Sequence, residues 1–96
     1  GPILPLLDRL GVEYVFDQTE QKLTAKRGTN TVVTRLADSE MYVNGVPEII
    51  NDWPEMINGV LYAELSAVIP ALGFAAFWAG GGTEYHIVEP GNDILV

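Results

Sequence analysis

The sequence predicts an α+β fold in which antiparallel β-hairpins form a small twisted sheet packed on two short helices. Three observations lead to this prediction: two segments have apolar residues at helical spacing, Asn-Gly dipeptides separate short β-prone runs, and part of the pattern recurs. The 96 residues are 48% hydrophobic and 19% charged, which is typical of a folded domain with one core.

Both helices are predicted from apolar residues at positions i, i+3, i+4 and i+7 that are followed by a glycine. The first helix covers residues 3–10 and ends at Gly11, and the second runs from about 63 to 72 and ends at Gly73. Pro70 lies late in the second helix and is expected to kink it or break its last turn, because proline has no backbone N–H.

The strands are predicted from β-branched and aromatic residues that lie next to turn residues. The dipeptides Asn44-Gly45 and Asn58-Gly59 are the strongest hairpin signals, because a type I′ turn needs positive φ at both central positions. The predicted strands cover residues 12–17, 21–26, 31–36, 41–43, 46–49, 55–57, 60–62, 74–78 and 84–88.

An internal pseudo-repeat places residues 3–16 over residues 65–78, so that Leu10-Gly11 matches Leu72-Gly73 and Phe16 matches Trp78. Each unit is a short helix, a glycine stop and a strand that ends in an aromatic residue, followed by a turn and a second strand. Because Phe16 and Trp78 end equivalent strands, both are expected in the core.

The predicted organisation is a single domain over residues 3–89, with repeat units at about 3–62 and 65–89. Gly1-Pro2 is the kind of remnant that an affinity-tag protease leaves, and residues 90–96 are expected to form a tail or linker. The chain is expected to be a fragment of a larger polypeptide.

The charge distribution argues against some partners. The formal net charge is −8, from 13 acidic and 5 basic residues, and no basic residue follows Arg35. Nucleic-acid binding needs clustered Lys and Arg, so no nucleic-acid partner is expected. The acidic surface is interpreted as a solvated face, with Ca²⁺ bound between carboxylates as the alternative, although no D-x-[DN]-x-[DN]-G loop is present.

Membrane insertion is not expected either, because Pro70, Gly73 and a glycine triplet interrupt the uncharged run 65–83. The chain has no cysteine, so it has neither a disulfide framework nor a thiolate metal site.

The residues that could carry chemistry favour no catalytic site, no metal and no cofactor. His86 is the single histidine and lies on a predicted strand, and Gly80-Gly81-Gly82 is followed by neither a lysine nor a predicted helix. The acid pairs Asp17/Glu20 and Asp52/Glu55 have the spacing of paired carboxylates, but chance explains them in so acidic a chain.

Trp53 is the aromatic residue that stands apart from the expected core. It lies in the polar, proline-containing loop Asn51-Asp52-Trp53-Pro54, and exposed aromatic residues on loops often mark contact sites. Trp53, Asp52 and Tyr62 are therefore the candidate binding residues, with capping of the sheet as the alternative role for Trp53.

Three motifs in order carry a family resemblance: Tyr42-Val43-Asn44-Gly45, then the run 57–65 (INGVLYAEL), then the run 71–78 (ALGFAAFW). The chain resembles the copper amine oxidase N-terminal-like domain, also called the stalk domain, over nearly its whole length. Glu64 and Ser66 stand where that family has a P-x-R element, and Ala79 replaces an acidic residue after Trp78.

The resemblance implies a small antiparallel sheet packed on helices in a module that is not itself the copper-bearing catalytic part. It further implies a location outside bacteria or in their envelope, often joined to a hydrolase or surface-layer module. The leading hypothesis is a module that anchors, spaces or targets an attached enzyme by binding peptidoglycan, another wall glycan or an envelope protein. The alternative is a protein–protein element that self-associates through an unpaired sheet edge.

Overall fold

Two helices and ten strands make up the part of the chain that the computed structural model describes, residues 1–89 and 91–96. In chain order the elements are α1 (Leu4–Arg9), β1 (Glu13–Asp17), β2 (Lys22–Arg27), β3 (Asn30–Arg35), β4 (Glu40–Val43), β5 (Val46–Ile49), β6 (Glu55–Ile57), β7 (Val60–Tyr62), α2 (Leu65–Ala71), β8 (Ala75–Ala79), β9 (Glu84–Glu89) and β10 (Asn92–Leu95).

The strands pair antiparallel with their neighbours in sequence. A five-stranded sheet has the order β1-β2-β3-β4-β5, a three-stranded sheet has the order β10-β9-β8, and β6 and β7 form a separate hairpin. The α+β class with antiparallel hairpins and two short helices is confirmed, and the strands are distributed over three sheets.

Both Asn-Gly turns have the backbone geometry that their sequence predicts. Asn44 and Gly45 have φ values of 51° and 82°, and Asn58 and Gly59 have φ values of 51° and 77°. These left-handed values at both central positions are those of a type I′ turn, which matches the twist of the flanking strands. The two dipeptides therefore fix the registers of the β4–β5 and β6–β7 hairpins.

The two helices dock through their apolar faces, since neither is long enough to be stable in isolation. Helix α1 buries Leu6 and Leu7, and α2 buries Val68 and Ile69. Pro70 lies inside α2, which ends one residue later at Ala71.

One core connects the helices to the sheets. The largest fully buried side chains come from both helices, the five-stranded sheet, β9 and the loops. They are Ile3, Leu7, Leu23, Val32, Met41, Pro54, Ile69, Leu72 and Ile87. Burying an aliphatic side chain of this size contributes about 1.5–3 kcal/mol each, so this shared core is the main stabilising element.

The pseudo-repeat extends further than the sequence pattern suggested. Helix α1 is followed by β1, β2 and β3, and α2 is followed in the same way by β8, β9 and β10. The structure differs here from the expected tail, because residues 92–95 form β10, which pairs with β9 and buries Ile94 opposite Ile87. Pro90, the first residue of that expected tail, lies outside the described residues.

Backbone and side-chain contacts join the beginning of the chain and the second unit to the rest. Pro2 forms an isolated antiparallel bridge with Tyr62, and the Ile3 N–H donates to the Leu61 carbonyl at 3.0 Å. From β2, the Arg27 Nη1 donates to the carbonyl of Leu72 at 3.2 Å.

Within the described residues, neither helix has the length and apolar composition needed to cross a membrane.

Candidate functional site

An open groove of about 540 Å³ brings together the three candidate binding residues Trp53, Asp52 and Tyr62. The groove is bordered by the loop before β6, the β7–α2 segment, the β8–β9 hairpin and both ends of the chain. Its remaining lining residues are Gly1, Pro2, Glu55, Ala63, Glu64, Leu65, Ser66, Trp78, Thr83, Tyr85 and Val96.

The loop that carries Trp53 is held at both of its ends. On one side Ile50 is buried and its N–H donates to the Ser39 carbonyl at 2.9 Å. On the other side Pro54 is fully buried, and its carbonyl accepts a hydrogen bond from the Ala37 N–H at 2.8 Å. Trp53 is 56% exposed between these two fixed points, so a large apolar side chain is presented to solvent on a constrained loop.

Trp78 is the penultimate residue of β8 and forms another part of the groove. It is 56% exposed, so the expectation that this residue belongs to the core is wrong, whereas Phe16 is partly buried against the core. Trp78 pairs in register with the buried Tyr85, and their ring centroids are 4.8 Å apart at an interplanar angle of 51°. Burial raises the pKa of the Tyr85 hydroxyl, which therefore stays neutral.

Sequence reasoning missed Trp78 as a groove residue because the repeat equated it with Phe16. The glycine turn at residues 80–82 follows almost directly and was the available signal. A strand residue next to an open hairpin turn has fewer neighbours to cover it than a residue in the middle of the sheet.

Three carboxylates line the groove beside the aromatic side chains: Asp52, Glu55 and Glu64. Glu64 is also structural, because its Oε2 accepts a hydrogen bond from the Asn51 N–H at 3.3 Å. Among the described residues that line the groove there is no Lys, Arg or His side chain. The backbone nitrogen of Gly1 lies at the border of the groove and donates to the Ala63 carbonyl at 3.0 Å.

His86 does not belong to the groove. It lies on β9, where its ring stacks on Phe77 with centroids 5.0 Å apart. Its Nε2 is 3.4 Å from a Glu84 carboxylate oxygen, and its Nδ1 is 3.3 Å from Asp93. The hydrogen bond to Glu84, followed by that to Asp93, raises the pKa of His86 above its ordinary value, although burial opposes the shift.

The glycine triplet has a local structural role. The residues Gly80, Gly81 and Gly82 have φ values of 61°, 72° and 90°, and the Thr83 Oγ1 donates to the Gly80 carbonyl at 2.7 Å. This is a hairpin turn stabilised from within, and the strand β9 follows it directly.

The first candidate carboxylate pair also has a local role. An Asp17 carboxylate oxygen accepts hydrogen bonds from the N–H groups of Thr19 and Glu20 at 2.9 and 3.1 Å, which is the geometry of an Asx-type turn. Glu20 in turn forms an ion pair with Lys22 at 2.9 Å. The second pair, Asp52 and Glu55, lines the groove described above.

A model of the copper amine oxidase N-terminal domain family matches residues 2–87 of the chain. No significant match was found among curated proteins or among solved structures. Copper sites in proteins are built mainly from imidazole, thiolate and thioether groups. The chain has one histidine and no cysteine, and the residues in 1–89 and 91–96 contain no group of three or more metal-ligating His, Cys, Asp or Glu side chains. The residues present therefore do not fit a copper site.

Proposed function

Because the chain belongs to the copper amine oxidase N-terminal domain family, a non-catalytic module of larger proteins, we propose that it binds a bacterial cell-wall polymer through the Trp53 groove. The polymer proposed is peptidoglycan. The bound module would anchor, space or target an attached enzyme in the envelope or outside the cell. Its role is then to raise the local concentration of that enzyme at the wall.

One observation carries the proposal: two tryptophans, each 56% exposed, line the same groove. Exposed aromatic surface is unfavourable in water, and tryptophan is enriched at contact sites because it supplies a large apolar face together with an N–H donor. The C–H faces of a sugar ring can pack on such a face, while its hydroxyls remain hydrated or bond to nearby carboxylates.

The rigidity of the Trp53 loop supports the same proposal. Binding loses affinity when loops and side chains must be ordered, and a loop fixed at Ile50 and Pro54 needs little ordering. The groove is also open between chain segments, which suits one stretch of a polymer better than an enclosed small molecule.

The first test is pelleting of the protein with insoluble bacterial cell-wall sacculi, with and without Ca²⁺. We expect saturable pelleting that does not require Ca²⁺. Substitution of Trp53 by Ala should weaken binding by about 2 kcal/mol, or roughly 30-fold, if Trp53 is a central anchor.

The matched control is Phe77→Ala, which removes an aromatic ring that is 46% exposed but does not line the groove. It should pellet like the unsubstituted protein. Equal binding by Trp53→Ala, with the fold confirmed by its circular dichroism spectrum, would remove the groove from the proposal. Binding that appears only with Ca²⁺ would favour the carboxylates as a metal-dependent contact instead.

Self-association through a sheet edge is the second candidate, and the edge strand β5 exposes two apolar residues: Val46 is 61% and Ile49 is 75% exposed. The Ile50 N–H points to the β4 side, so by alternation Pro47 and Ile49 face the free edge. Since proline has no N–H, this edge offers one donor over its length, which weakens strand addition there. A molecular mass that rises with protein concentration would favour self-association.

A further inference from the structure

We propose that the groove selects ligands that carry a positively charged amino group with an apolar stem. In peptidoglycan this would be the free side-chain amine of a stem peptide that is not cross-linked. The choice of polymer rests on the proposed function, whereas recognition of the amine is inferred from the groove itself.

The side chains that line the groove carry a net negative charge. Residues 36–96, which supply nearly all of its lining, contain nine acidic residues and no basic residue. Asp52, Glu55 and Glu64 line the groove, and among the described residues no Lys, Arg or His side chain lines it. The local field therefore attracts cations and repels anions.

Two of the five basic side chains form contacts away from the groove. Among the described residues, Lys22 pairs with Glu20, and the Arg27 guanidinium lies 3.8 Å from the centroid of the Phe74 ring. The ion pairs found in residues 1–89 and 91–96 involve none of the three groove carboxylates. Their charge is consequently available to a ligand.

The aromatic side chains of the groove also match an amine that has an apolar stem. An ammonium group is attracted to the face of a tryptophan or tyrosine ring, and its methylene stem packs on the same surface. Trp53, Trp78 and Tyr62 line the groove together with the carboxylates. A lysine-like side chain matches both features at once, whereas a neutral sugar uses only the rings and a phosphate-bearing wall polymer is repelled by the acids.

A metal ion matches the groove less well than an amine. The described residues contain no set of three carboxylate or imidazole groups close enough to hold one metal ion. Ca²⁺ needs six to eight oxygen ligands around a single point. An amine needs one carboxylate and one ring face, so it does not require three ligands close to one point.

Nuclear magnetic resonance provides a direct test, because the chain has two tryptophans and therefore two indole N–H signals. The ¹⁵N-labelled protein is titrated with Nα-acetyl-lysine N-methylamide, and separately with the same compound acetylated on its side-chain amine. We expect the free amine to shift the indole signals saturably and the acetylated compound to leave them unchanged.

Two carboxylate variants locate the effect. Glu55→Gln removes one charge in the groove, and Glu48→Gln removes one exposed charge on β5 outside the groove. The groove variant should weaken binding of the lysine derivative roughly twofold to fivefold, the size expected for one exposed charge pair, and the β5 variant should not. Equal weakening by both, or equal shifts from the acetylated compound, would overturn the inference.

Sacculi with chemically acetylated amines separate this inference from the proposed function. Strong pelleting with untreated sacculi and weak pelleting with acetylated sacculi is the expected result. Equal pelleting with both preparations would overturn amine recognition and leave wall binding in place. Binding of the lysine derivative without any pelleting would support amine recognition and refute wall binding.

Discussion

Substitution of Arg27 by Ala should destabilise the fold, because this side chain connects β2 to the second unit by two contacts. Its guanidinium lies over the Phe74 ring at 3.8 Å, and its Nη1 donates to the Leu72 carbonyl at 3.2 Å. At an exposed position the first contact is worth about 0.5–1 kcal/mol, and a hydrogen bond contributes about 0.5–1.5 kcal/mol net. The Asn30 Nδ2 also bonds to Leu72, at 3.3 Å, and retains part of the interaction.

The expected loss is therefore about 1.5 kcal/mol in the free energy of unfolding, from the contributions of these two contacts. With a urea m-value of about 1.5 kcal/mol/M the midpoint should fall by about 1 M, and the melting temperature should fall by about 6–12 °C. Urea unfolding followed by tryptophan fluorescence and by circular dichroism measures the change and checks that both probes coincide.

Lys26→Ala is the control, because it removes the same charge from the adjacent exposed position of β2. It accounts for the general effect of making an acidic protein more negative. Arg27→Lys should give an intermediate loss, since an ammonium keeps the charge but not the planar fork. If Arg27→Ala and Lys26→Ala lower the urea midpoint equally, the two contacts of Arg27 do not stabilise the fold.

Three further predictions concern separate parts of the fold. Gly73→Ala should lower the free energy of unfolding by about 1–3 kcal/mol, because φ is +90° and the new methyl group would lie 2.8 Å from the Asn30 amide nitrogen. Urea unfolding measures this loss. Gly81→Ala is the control, because Gly81 also has a positive φ but has open space around it, so the difference between the two variants separates the steric clash from backbone strain. Ile94→Ala should lower the free energy of unfolding by about 2–4 kcal/mol, because Ile94 is buried, whereas Leu95→Ala at an exposed position should lower it much less. Equal small losses in urea unfolding would show that β10 is not part of the core. In the folded protein the pKa of His86 is raised above its ordinary value of 6.5, so the protonated ring stabilises the fold fully below pH 6.5 and this contribution is lost as pH rises through the folded pKa. The difference in free energy of unfolding between the unsubstituted protein and His86→Gln should therefore shrink between pH 5.5 and 8. An increase over this range would contradict the prediction.

Local patterns in the sequence were sufficient to predict most of the elements. Each Asn-Gly dipeptide fixes a hairpin through its own backbone preferences, and each helix is defined by apolar spacing and a following glycine. These signals act over a few residues, so they do not depend on how distant segments pack.

Strand β10 was missed because the composition of Pro90-Gly91-Asn92-Asp93 is typical of a loop. The repeat contained the missing information: Asn92 begins β10 at the position 62 residues after Asn30, which begins β3. Pairing with β9 and burial of Ile94 outweigh the loop composition in the folded chain.

The candidate site was predictable only in part. Trp53 could be identified from its polar loop, and the structure places it with Asp52 and Tyr62 in one groove. Trp78 joins these residues because the β8–β9 hairpin and the β6–β7 hairpin, which belong to different sheets, border the same groove. No short-range sequence signal specifies that placement, because it is set by the packing of the shared core.

Every strand pairs with a strand that is its neighbour in sequence, and this pattern affects the order in which the chain folds. Each hairpin closes a short loop, so the sheets have low contact order and should form quickly and independently. The groove instead needs residues 1–2, 52–55, 62–66, 78–85 and 96 to meet, which requires the long loops to close after the hairpins exist. We expect the groove to assemble in the last folding step and its amides to exchange with solvent sooner than those of the five-stranded sheet.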